Sequence, residues 1–465
     1  MPALSLGELA AAAGGTLLRG EPAARVASFS IDTRTLSPGG VFFALKGTRS
    51  DGHDFLSAAA RAGAACAVVE RVPDEAAEAP AALLRVDDVV AALGRAGAAA
   101  RRRPGLRIVA LTGSAGKTTT KELIAAGLSA RRRVHCTRGN LNNHLGVPLT
   151  LLGCPDEAEI AVVEMGMSAP GEIAALSRMA DPDVALVTNV RPVHLEFFRS
   201  VDDIAAAKGE IYATLRPEAV AVVNLDDEEC RIQAARHPGP RVTFGRDPSA
   251  DVALEAIADR FVPGAELTFR HQGKASTVPL RIGGAHAALD ALAALAAVLA
   301  AGEDVPAAAN AMASVEPQPG RGRIHRLAGD AILVDDSYNS NPAALASVLG
   351  TVRAAEAAGR KVLVLGDMLE LGRDEEGFHR EAGERAAAAG VQVLVGVGPR
   401  AKAAVEAARR AGIAEAWHEQ DAAAAARSVP QRIGPGDLVV VKGSRGMRLE
   451  QVVEALLRTR GEAAR

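Results

Sequence analysis

A glycine-rich turn that ends in a lysine and two threonines is the most informative feature of this sequence, Thr112-Gly-Ser-Ala-Gly-Lys-Thr-Thr119. An apolar run rich in β-branched residues precedes it and a helical pattern follows it, which predicts a strand, a turn and a helix in that order. Backbone N–H groups in such a turn surround a phosphate, and the helix N-terminus adds partial positive charge. The pattern therefore predicts a phosphate loop in which Lys117 reaches the β- and γ-phosphates and the Thr118 hydroxyl holds Mg²⁺. The loop is a shortened form, because Leu111 stands where the longer pattern has its first glycine.

Three further residues have the chemistry of metal ligands or charged catalysts. Glu164 ends a strand-like run, and a carboxylate at the carboxyl end of a parallel strand suits Mg²⁺, which prefers oxygen ligands. His194 follows another such run; a lone histidine is more often structural, but its place beside the loop and Glu164 favours a metal role. The local sequence around Lys208 indicates no more than a lysine on a helix surface.

These residues need a scaffold that brings strand ends together. Strand-like runs occur at residues 106–112, 160–164, 184–189 and 219–224, with helical runs between them at 121–131, 171–178 and 201–212. This alternation predicts a mostly parallel sheet with helices on both faces. Residues 252–269 and 277–282 predict antiparallel strands, and residues 287–301 predict a buried helix.

The segments on either side predict two further α/β units. Residues 1–86 contain strand-like runs at 24–31, 40–45 and 65–70 and a helical run at 55–63. After a linker at 317–320 the α/β rhythm restarts, with strand-like runs at 331–335, 361–365, 391–397 and 438–442. We therefore predict an N-terminal domain (1–86), a central P-loop domain (87–316) and a C-terminal domain with a Rossmann-like, doubly wound sheet (317–465).

Composition excludes several classes of protein. The 465 residues are 48% hydrophobic and 23% charged, which is typical of a globular chain. The 53 basic and 56 acidic residues give a net charge of -3, without the basic excess of a nucleic-acid-binding protein. The longest apolar stretch, at 287–301, is short for a membrane span and is interrupted by Asp290. We expect a cytoplasmic monomer with no nucleic-acid partner and no membrane span.

Taken together and in their order along the chain, these motifs resemble the Mur ligases, the ATP-dependent amide-forming enzymes of peptidoglycan synthesis. The resemblance covers nearly the whole chain and is strongest to the member that adds D-alanyl-D-alanine to a UDP-N-acetylmuramoyl-tripeptide. It implies that ATP phosphorylates the terminal carboxylate of the tripeptide and that the amine of D-alanyl-D-alanine attacks the acyl phosphate. It also implies a UDP-sugar-binding role for the N-terminal domain.

The resemblance implies two groups of site residues. Substrate contacts are expected from three regions: Ser30, Asp32, Thr33, Arg34, Lys46, Asp51, Gly52 and His53; Asn140, Asn142 and Asn143; and Lys442, Ser444 and Arg445. ATP contacts are expected from Gly113, Ser114, Ala115, Gly116, Lys117, Thr118, Thr119, His286, Arg321, Asp336 and Asn339.

For the metal, the resemblance implies two Mg²⁺ sites, formed by Thr118, Glu164, His194 and Lys208. It further implies that Lys208 is carboxylated by CO₂, which would turn a cation into a metal ligand. Lys117, Lys208, His194 and Arg321 would then carry the catalysis.

One position departs from the family pattern, and two alternatives remain open. The family usually has an asparagine after the histidine at 286 and another three residues later, which help to hold the adenine, whereas this chain has Ala287 and Asp290. A ligase of the same architecture is one alternative: the neighbour that adds the third amino acid, or a folylpolyglutamate synthetase-like enzyme. The neighbour usually has a histidine in the motif that reads Asp-Ser-Tyr-Asn-Ser-Asn-Pro here. The other alternative is a P-loop switch or ATPase, which leaves the first and third domains unexplained.

Overall fold

The computed structural model describes residues 4–26, 28–48, 50–72, 79–192 and 196–461, and these residues form three β-sheets. The sheets have five, nine and six strands and follow one another along the chain. Each is mainly parallel and carries helices, which confirms the predicted three-unit α/β class. The strands of each sheet fall within one of the three predicted domain ranges, although the limits of those domains stay a prediction.

The N-terminal sheet is small. Its elements are α1 (Leu6–Ala13), β1 (Thr16–Arg19), β2 (Phe29–Ser30), β3 (Val41–Phe43), α2 (Leu56–Arg61), β4 (Cys66–Val69) and β5 (Ala82–Arg85). The strand order is β1-β5-β4-β3-β2, and only β1 is antiparallel to its neighbour. Helix α1 begins with a capping box, in which Ser5 and Glu8 each accept a hydrogen bond from the backbone N–H of the other.

The central unit contains the nine-stranded sheet. Its strands are β6 (Arg107–Thr112), β7 (Val134–Cys136), β8 (Ile160–Glu164), β9 (Val184–Val187), β10 (Val220–Asn224), β11 (Arg241–Gly245), β12 (Val252–Ala258), β13 (Glu266–His271) and β14 (Lys274–Pro279). Its helices are α3 (Val89–Arg101), α4 (Lys117–Ser129), α5 (Gly146–Leu152), α6 (Glu172–Ala180), α7 (Val201–Ala213), α8 (Glu228–Ala234), α9 (Ala285–Ala300) and α10 (Val305–Met312). The order is β14-β13-β12-β11-β10-β9-β6-β8-β7. Strands β6 to β12 are parallel, and β13 and β14 are each antiparallel to the strand before them.

Helices cover both faces of the central sheet. Its strands have apolar side chains on both faces, and the helices bury them. Ile108 and Ala110 of β6 join a core with α3, α5, α6 and α7, whereas Val109 and Leu111 join a core with α4, α9 and α10. The first of these cores continues into the N-terminal domain without a break, where it includes residues of α1, β3, β4 and β5.

The C-terminal unit is a six-stranded sheet. Its elements are β15 (Arg323–Arg326), β16 (Ile332–Asp336), α11 (Pro342–Ala354), β17 (Lys361–Gly366), α12 (Glu375–Ala388), β18 (Val393–Val397), α13 (Ala401–Arg410), β19 (Glu415–Glu419), α14 (Ala422–Ser428), β20 (Leu438–Lys442) and α15 (Glu450–Arg460). The order is β15-β16-β20-β17-β18-β19, and all neighbours but β15 and β16 are parallel.

The turn between β12 and β13 connects the central unit to the C-terminal one. Phe261 is buried within the apolar core of the C-terminal unit, beside residues of α11 and β17. The Thr351 hydroxyl of α11 donates a hydrogen bond of 2.9 Å to the carboxylate of Asp259. These contacts fix the side of the C-terminal unit that faces α9.

Six of the strands were not predicted from the sequence: β1, β7, β15 and β19, which lie at sheet edges, and β5 and β11, which lie inside their sheets. β1, β7, β15 and β19 are short and alternate weakly between exposed and covered residues, so their hydrophobic pattern is faint. The predicted strand at 24–31 is reduced to β2. The predicted loop at 72–80 lies largely outside the described residues. Within the described part of the chain, no helix is both long and apolar enough to cross a membrane.

Candidate active site

The phosphate loop lies at the carboxyl end of β6, between β8 and β9, and leads directly into α4. Both of its glycines have a backbone conformation that other residues rarely adopt, with φ of +154° at Gly113 and +79° at Gly116. Both also face a side chain at close range. A Cβ atom on Gly113 would lie 1.9 Å from Thr188 Oγ1, and one on Gly116 would lie 2.1 Å from Asp290 Oδ1. Neither position therefore has room for a side chain.

The loop is tied to the segment that follows β9. Thr188 Oγ1 donates 2.7 Å to the carbonyl of Ala115, and Asn189 both accepts from the Ala115 N–H and donates to its carbonyl. Ser114 exchanges two hydrogen bonds with the backbone of Arg191. The loop is therefore held in shape by the protein itself. Asn189 had no predicted role, because only the fold shows that the end of β9 meets the loop.

Lys117 folds back across this loop. Its Nζ donates 2.7 Å to the carbonyl of Gly113. Burial lowers the pKa of Lys117, the nearby carboxylate of Glu164 opposes that effect, and the charge of Arg321 adds to it. The pKa of this one amine in the phosphate loop thus depends on a residue of β8 and on a residue that follows the 317–320 linker.

Glu164 ends β8 and is 1% exposed. Its Oε1 accepts a 2.8 Å hydrogen bond from Asn142 Nδ2, and Lys121 Nζ lies 3.8 Å from Oε2. Oε2 has no hydrogen-bond partner among the described residues. A buried carboxylate oxygen without a hydrogen bond is costly, and a hard cation is the kind of ligand that would satisfy it. Lys121, fully buried and 3.1 Å from Glu122, is a site residue that the sequence did not single out.

Lys208 is in α7 and is 2% exposed. Burial lowers its pKa well below the usual value, and the charge of Lys117 lowers it further. Within the described ranges no acidic residue forms an ion pair with it, so the amine is not neutralised by a neighbour. The local sequence indicated that Lys208 lies on a helix surface. This interpretation is wrong, because this face of α7 packs against the sheet. His194 lies outside the described residues.

The described residues contain no group of three or more His, Cys, Asp or Glu side chains arranged to hold a metal ion. Glu164 and the buried hydroxyl-bearing Thr118 are the described members of the predicted set that could coordinate one as they stand. Lys208 fits such a set only if its amine is carboxylated, and its burial and lowered pKa suit the neutral amine that this reaction needs.

Arg321 approaches from the far side of the linker. Its guanidinium lies 4.0 Å from the centre of the Tyr338 ring, and the guanidinium of Arg445 lies 5.5 Å from the same ring. A shallow cleft runs between α4 and the linker, where Thr119, Glu122 and Gln318 line it together with Arg321. The C-terminal unit thus contributes positive charge to the phosphate loop.

The other predicted residues of the C-terminal unit form a paired cluster. Lys442, 3% exposed, donates 2.6 Å to Asp336 Oδ2 and 3.0 Å to the carbonyl of Asn339. Ser444 is buried, and its hydroxyl accepts from the N–H of Leu369. His286, at the start of α9, faces this cluster: burial lowers its pKa, Asp336 raises it and Lys442 lowers it.

The predicted residues of the N-terminal domain gather at one edge of its sheet, since Ser30 ends β2 and Lys46 follows the parallel strand β3. Asp32 accepts hydrogen bonds from Arg34, which lower its pKa. Thr33 is half-buried between them.

The second motif at this edge is largely occupied by its own contacts. His53, 8% exposed, lies with Nδ1 2.7 Å from Asp51 and accepts at Nε2 from the N–H of Glu70. Hydrogen bonds from His53, through its N–H and then its ring, hold the pKa of Asp51 well below its usual range. The backbone N–H of Gly52 donates to Leu45. Asp51 and His53 therefore brace the turn that presents Lys46.

The three predicted asparagines separate in the structure. Asn142 contacts Glu164. Asn143 is exposed, and its side chain accepts from the N–H groups of Leu145 and Gly146 at the start of α5. Asn140 is exposed. Of these three asparagines, Asn142 is the one whose side chain contacts Glu164.

Comparison with known proteins gives consistent matches over the chain. The Mur ligase family catalytic domain matches residues 25–101, the Mur ligase middle domain matches 111–298, and the Mur ligase glutamate ligase domain matches 320–445. A UDP-N-acetylmuramoyl-tripeptide--D-alanyl-D-alanine ligase of Escherichia coli is 37% identical, over 91% of this chain and 92% of that protein.

Solved structures agree. A MurF structure from Acinetobacter baumannii aligns with a TM-score of 0.87 and 32% identity, over 98% of this chain and 100% of that one. MurF from Thermotoga maritima in complex with ADP aligns with a TM-score of 0.79 and 30% identity, over 93% of this chain and 97% of that one. These matches, which together extend over nearly the whole chain, show that the chain belongs to the Mur ligase family.

Proposed function

We propose that this chain joins D-alanyl-D-alanine to UDP-N-acetylmuramoyl-tripeptide at the expense of ATP, through an acyl phosphate. One observation carries most of the proposal: the phosphate loop, the unpartnered oxygen of Glu164 and the buried amine of Lys208 lie together, and Arg321 reaches them from the C-terminal unit. The relatives whose names state this reaction support the choice of substrates.

ATP is proposed to bind at the phosphate loop. The backbone N–H groups before α4 and the N-terminus of that helix would receive its phosphates. Lys117 would exchange its bond to the Gly113 carbonyl for the phosphates, which neutralises part of their charge. Arg321, oriented by the Tyr338 ring, would approach from the opposite side. His286, Asp336 and Asn339 are proposed to contact the rest of the nucleotide.

Mg²⁺ is proposed to be held by Thr118 and Glu164, with His194 and a carboxylated Lys208 completing a second site. The ion would supply positive charge that binds phosphate and substrate carboxylate oxygens together. The hydrogen bond from Asn142 orients the carboxylate of Glu164. Oε1 accepts this bond, whereas Oε2 has no hydrogen bond from the described residues and would be available to the ion. Burial lowers the pKa of Lys208, which favours the neutral amine that would react with CO₂.

The tripeptide substrate is proposed to span the first two units. Its UDP-sugar part would contact Ser30, Asp32, Thr33, Arg34, Lys46, Asp51, Gly52 and His53, and its peptide part would pass Asn140, Asn142 and Asn143. Lys442, Ser444 and Arg445 would act at the acceptor side. Because Lys442 is already paired with Asp336, its role there would be to position Asn339 and its neighbours.

The three units together would exclude water from the acyl phosphate, which water would otherwise hydrolyse. The turn that contains Asp259 and Phe261 holds α11 against the central unit. The central and C-terminal units that would form the site are therefore in contact. We further propose that the protein acts as a cytoplasmic monomer.

The test is phosphate release from ATP and Mg²⁺ in the presence of UDP-N-acetylmuramoyl-tripeptide, with and without D-alanyl-D-alanine, followed by the product mass. The proposal requires release that depends on both substrates and a product with the pentapeptide mass. Release with the dipeptide precursor and a single amino acid would instead assign the neighbouring ligase reaction. Release without any acceptor would assign an ATPase.

A further inference from the structure

The carboxyl group of Asp290 lies directly against the phosphate loop. Asp290 is in α9, which packs closely on α4, and it is 6% exposed. All three atoms of its carboxyl group lie within 2.9 Å of the place where Gly116 would carry a Cβ atom. The group therefore covers the face of the glycine at which α4 begins.

This carboxyl group is not an ordinary buried acid. Its Oδ2 has no hydrogen-bond partner in the described ranges, and the same holds for the buried hydroxyl of Thr120, one turn into α4. Burial raises the pKa of Asp290 well above its usual value; Thr120, close enough to interact, and the charge of Arg321 oppose this. The residues around it on α9 are almost all alanine and leucine, which pack without any such cost.

The position also matters for charge. The phosphate loop must receive the negative charges of a nucleotide, and an ionised carboxylate against Gly116 would repel them. A neutral carboxyl group, in contrast, can donate as well as accept a hydrogen bond, as an amide does. Gly116, whose open face the carboxyl group covers, and Thr120, whose hydroxyl interacts with it, both lie at the start of α4.

We propose that Asp290 is a positioning residue for the phosphate loop, which supports the Gly116–Thr120 turn from α9 as an uncharged hydrogen-bonding group. The inference rests on the proposed ATP site but not on the identity of the acceptor. Asp290 thereby has a function near the triphosphate. The family usually has an asparagine, which helps to hold the adenine, at this position. Ala287, buried beside it on α9, has no polar group to contribute.

The experiment compares Asp290→Ala with Asp290→Asn in the full chain. The Kd for a non-hydrolysable ATP analogue with Mg²⁺ is measured by calorimetry, and kcat and both substrate KM values are measured in the ligation assay. We expect Asp290→Ala to weaken nucleotide binding by about tenfold, the scale of one lost buried hydrogen-bonding group. We expect Asp290→Asn to recover most of that loss, and the KM for D-alanyl-D-alanine to stay the same in both.

Leu295→Ala, at a fully buried position of the same helix, is the matched control. It should lower the melting temperature without a selective loss of nucleotide affinity, which separates damage to α9 from an effect on the loop. Unchanged nucleotide affinity in Asp290→Ala would overturn the proposal, and so would an Asp290→Asn variant as weak as Asp290→Ala. Because binding is measured directly, a wild-type chain that binds ATP but fails to ligate would refute the proposed function and leave this test intact.

Discussion

Buried polar side chains lie at the carboxyl edges of two sheets in this protein. The two edges differ in whether these side chains have partners within the protein. At the carboxyl edge of the C-terminal sheet the buried charges are paired within the protein. Lys442 meets Asp336, and Asp367 accepts from the N–H of Ala401. At the carboxyl edge of the central sheet, Glu164 Oε2 and Asp290 Oδ2 have no hydrogen bond from any described residue, and Lys208 has no ion pair there.

This difference is the one expected between a structural edge and the proposed ligand-binding edge. Buried polar groups are normally satisfied, so a cluster of unsatisfied ones is informative about what the fold is built to bind. The paired cluster stabilises the C-terminal unit and sets the position of the residues around it. The cluster at the central sheet has carboxylate oxygens without hydrogen bonds from the described residues, which a proposed nucleotide, metal ion or modified lysine would satisfy.

The largest expected effect is at Lys208. Lys208→Ala removes the amine proposed to become a metal ligand, and we expect ligation to fall by about 10⁴-fold or more, as when one member of a cooperating catalytic set is lost. The measurement is pentapeptide formation under saturating substrates. Lys402→Ala, at an exposed position of α13, is the control and should leave turnover within about twofold. Near-normal turnover in Lys208→Ala would contradict the metal role.

The next effect is on stability rather than activity. Lys442→Met leaves the carboxylate of Asp336 without its partner, and removing one member of a buried pair costs about 3–5 kcal/mol. Urea unfolding of the variant should show this loss in the free energy of unfolding. A loss below about 1 kcal/mol would mean that the pair behaves like an exposed one.

Glu164 should show the reverse pattern. Glu164→Gln keeps an oxygen for Asn142 but removes the charge, so we expect kcat to fall by about 100-fold and the Mg²⁺ requirement to rise. The melting temperature should change little, because the substitution removes a buried carboxylate oxygen that has no hydrogen bond among the described residues and, at the same time, its 3.8 Å ion pair with Lys121. Glu454→Gln, exposed in α15, controls for loss of a carboxylate. A variant that is both unstable and fully active would contradict the comparison.

The smallest effect is expected at Tyr338. Tyr338→Leu removes the ring on which Arg321 rests and should raise the KM for ATP by about three- to tenfold, as expected for a cation–π contact. The KM for the tripeptide is the internal control, since the cations over the ring, Arg321 and Arg445, belong to neither of the regions proposed for the tripeptide. If both KM values rise together, Tyr338 supports the unit as a whole rather than Arg321.

Much of this arrangement could be predicted from sequence, because it depends on local pattern. The phosphate loop, the strand that ends in Glu164 and the α/β class all follow from short-range periodicity and glycine spacing. The membership of the Mur ligase family, expected from the order of the motifs, is confirmed. The roles of the individual site residues remain predictions that the experiments above address.

What could not be predicted depends on contacts between distant segments. Asn142 reaches Glu164 across 22 residues, and Asn189 holds Ala115 across 74. Asp290 contacts Gly116 only because α9 packs on α4. The amine of Lys442 is bonded to Asp336, because β16 and β20 are neighbours only in the folded sheet. Its contact with substrate stays a prediction. No periodicity in the chain encodes these pairings.

The core that continues from the N-terminal domain into the central one limits how the molecule can be divided. Helix α3 packs on α1 on one side and on α5 and α6 on the other, so its apolar residues belong to both units at once. A chain cut between residues 86 and 87 would give two fragments, each with an open apolar face. The N-terminal unit therefore cannot be exchanged by itself. Moving it to another ligase would require α3, and the surface against which α3 packs, to be transferred with it.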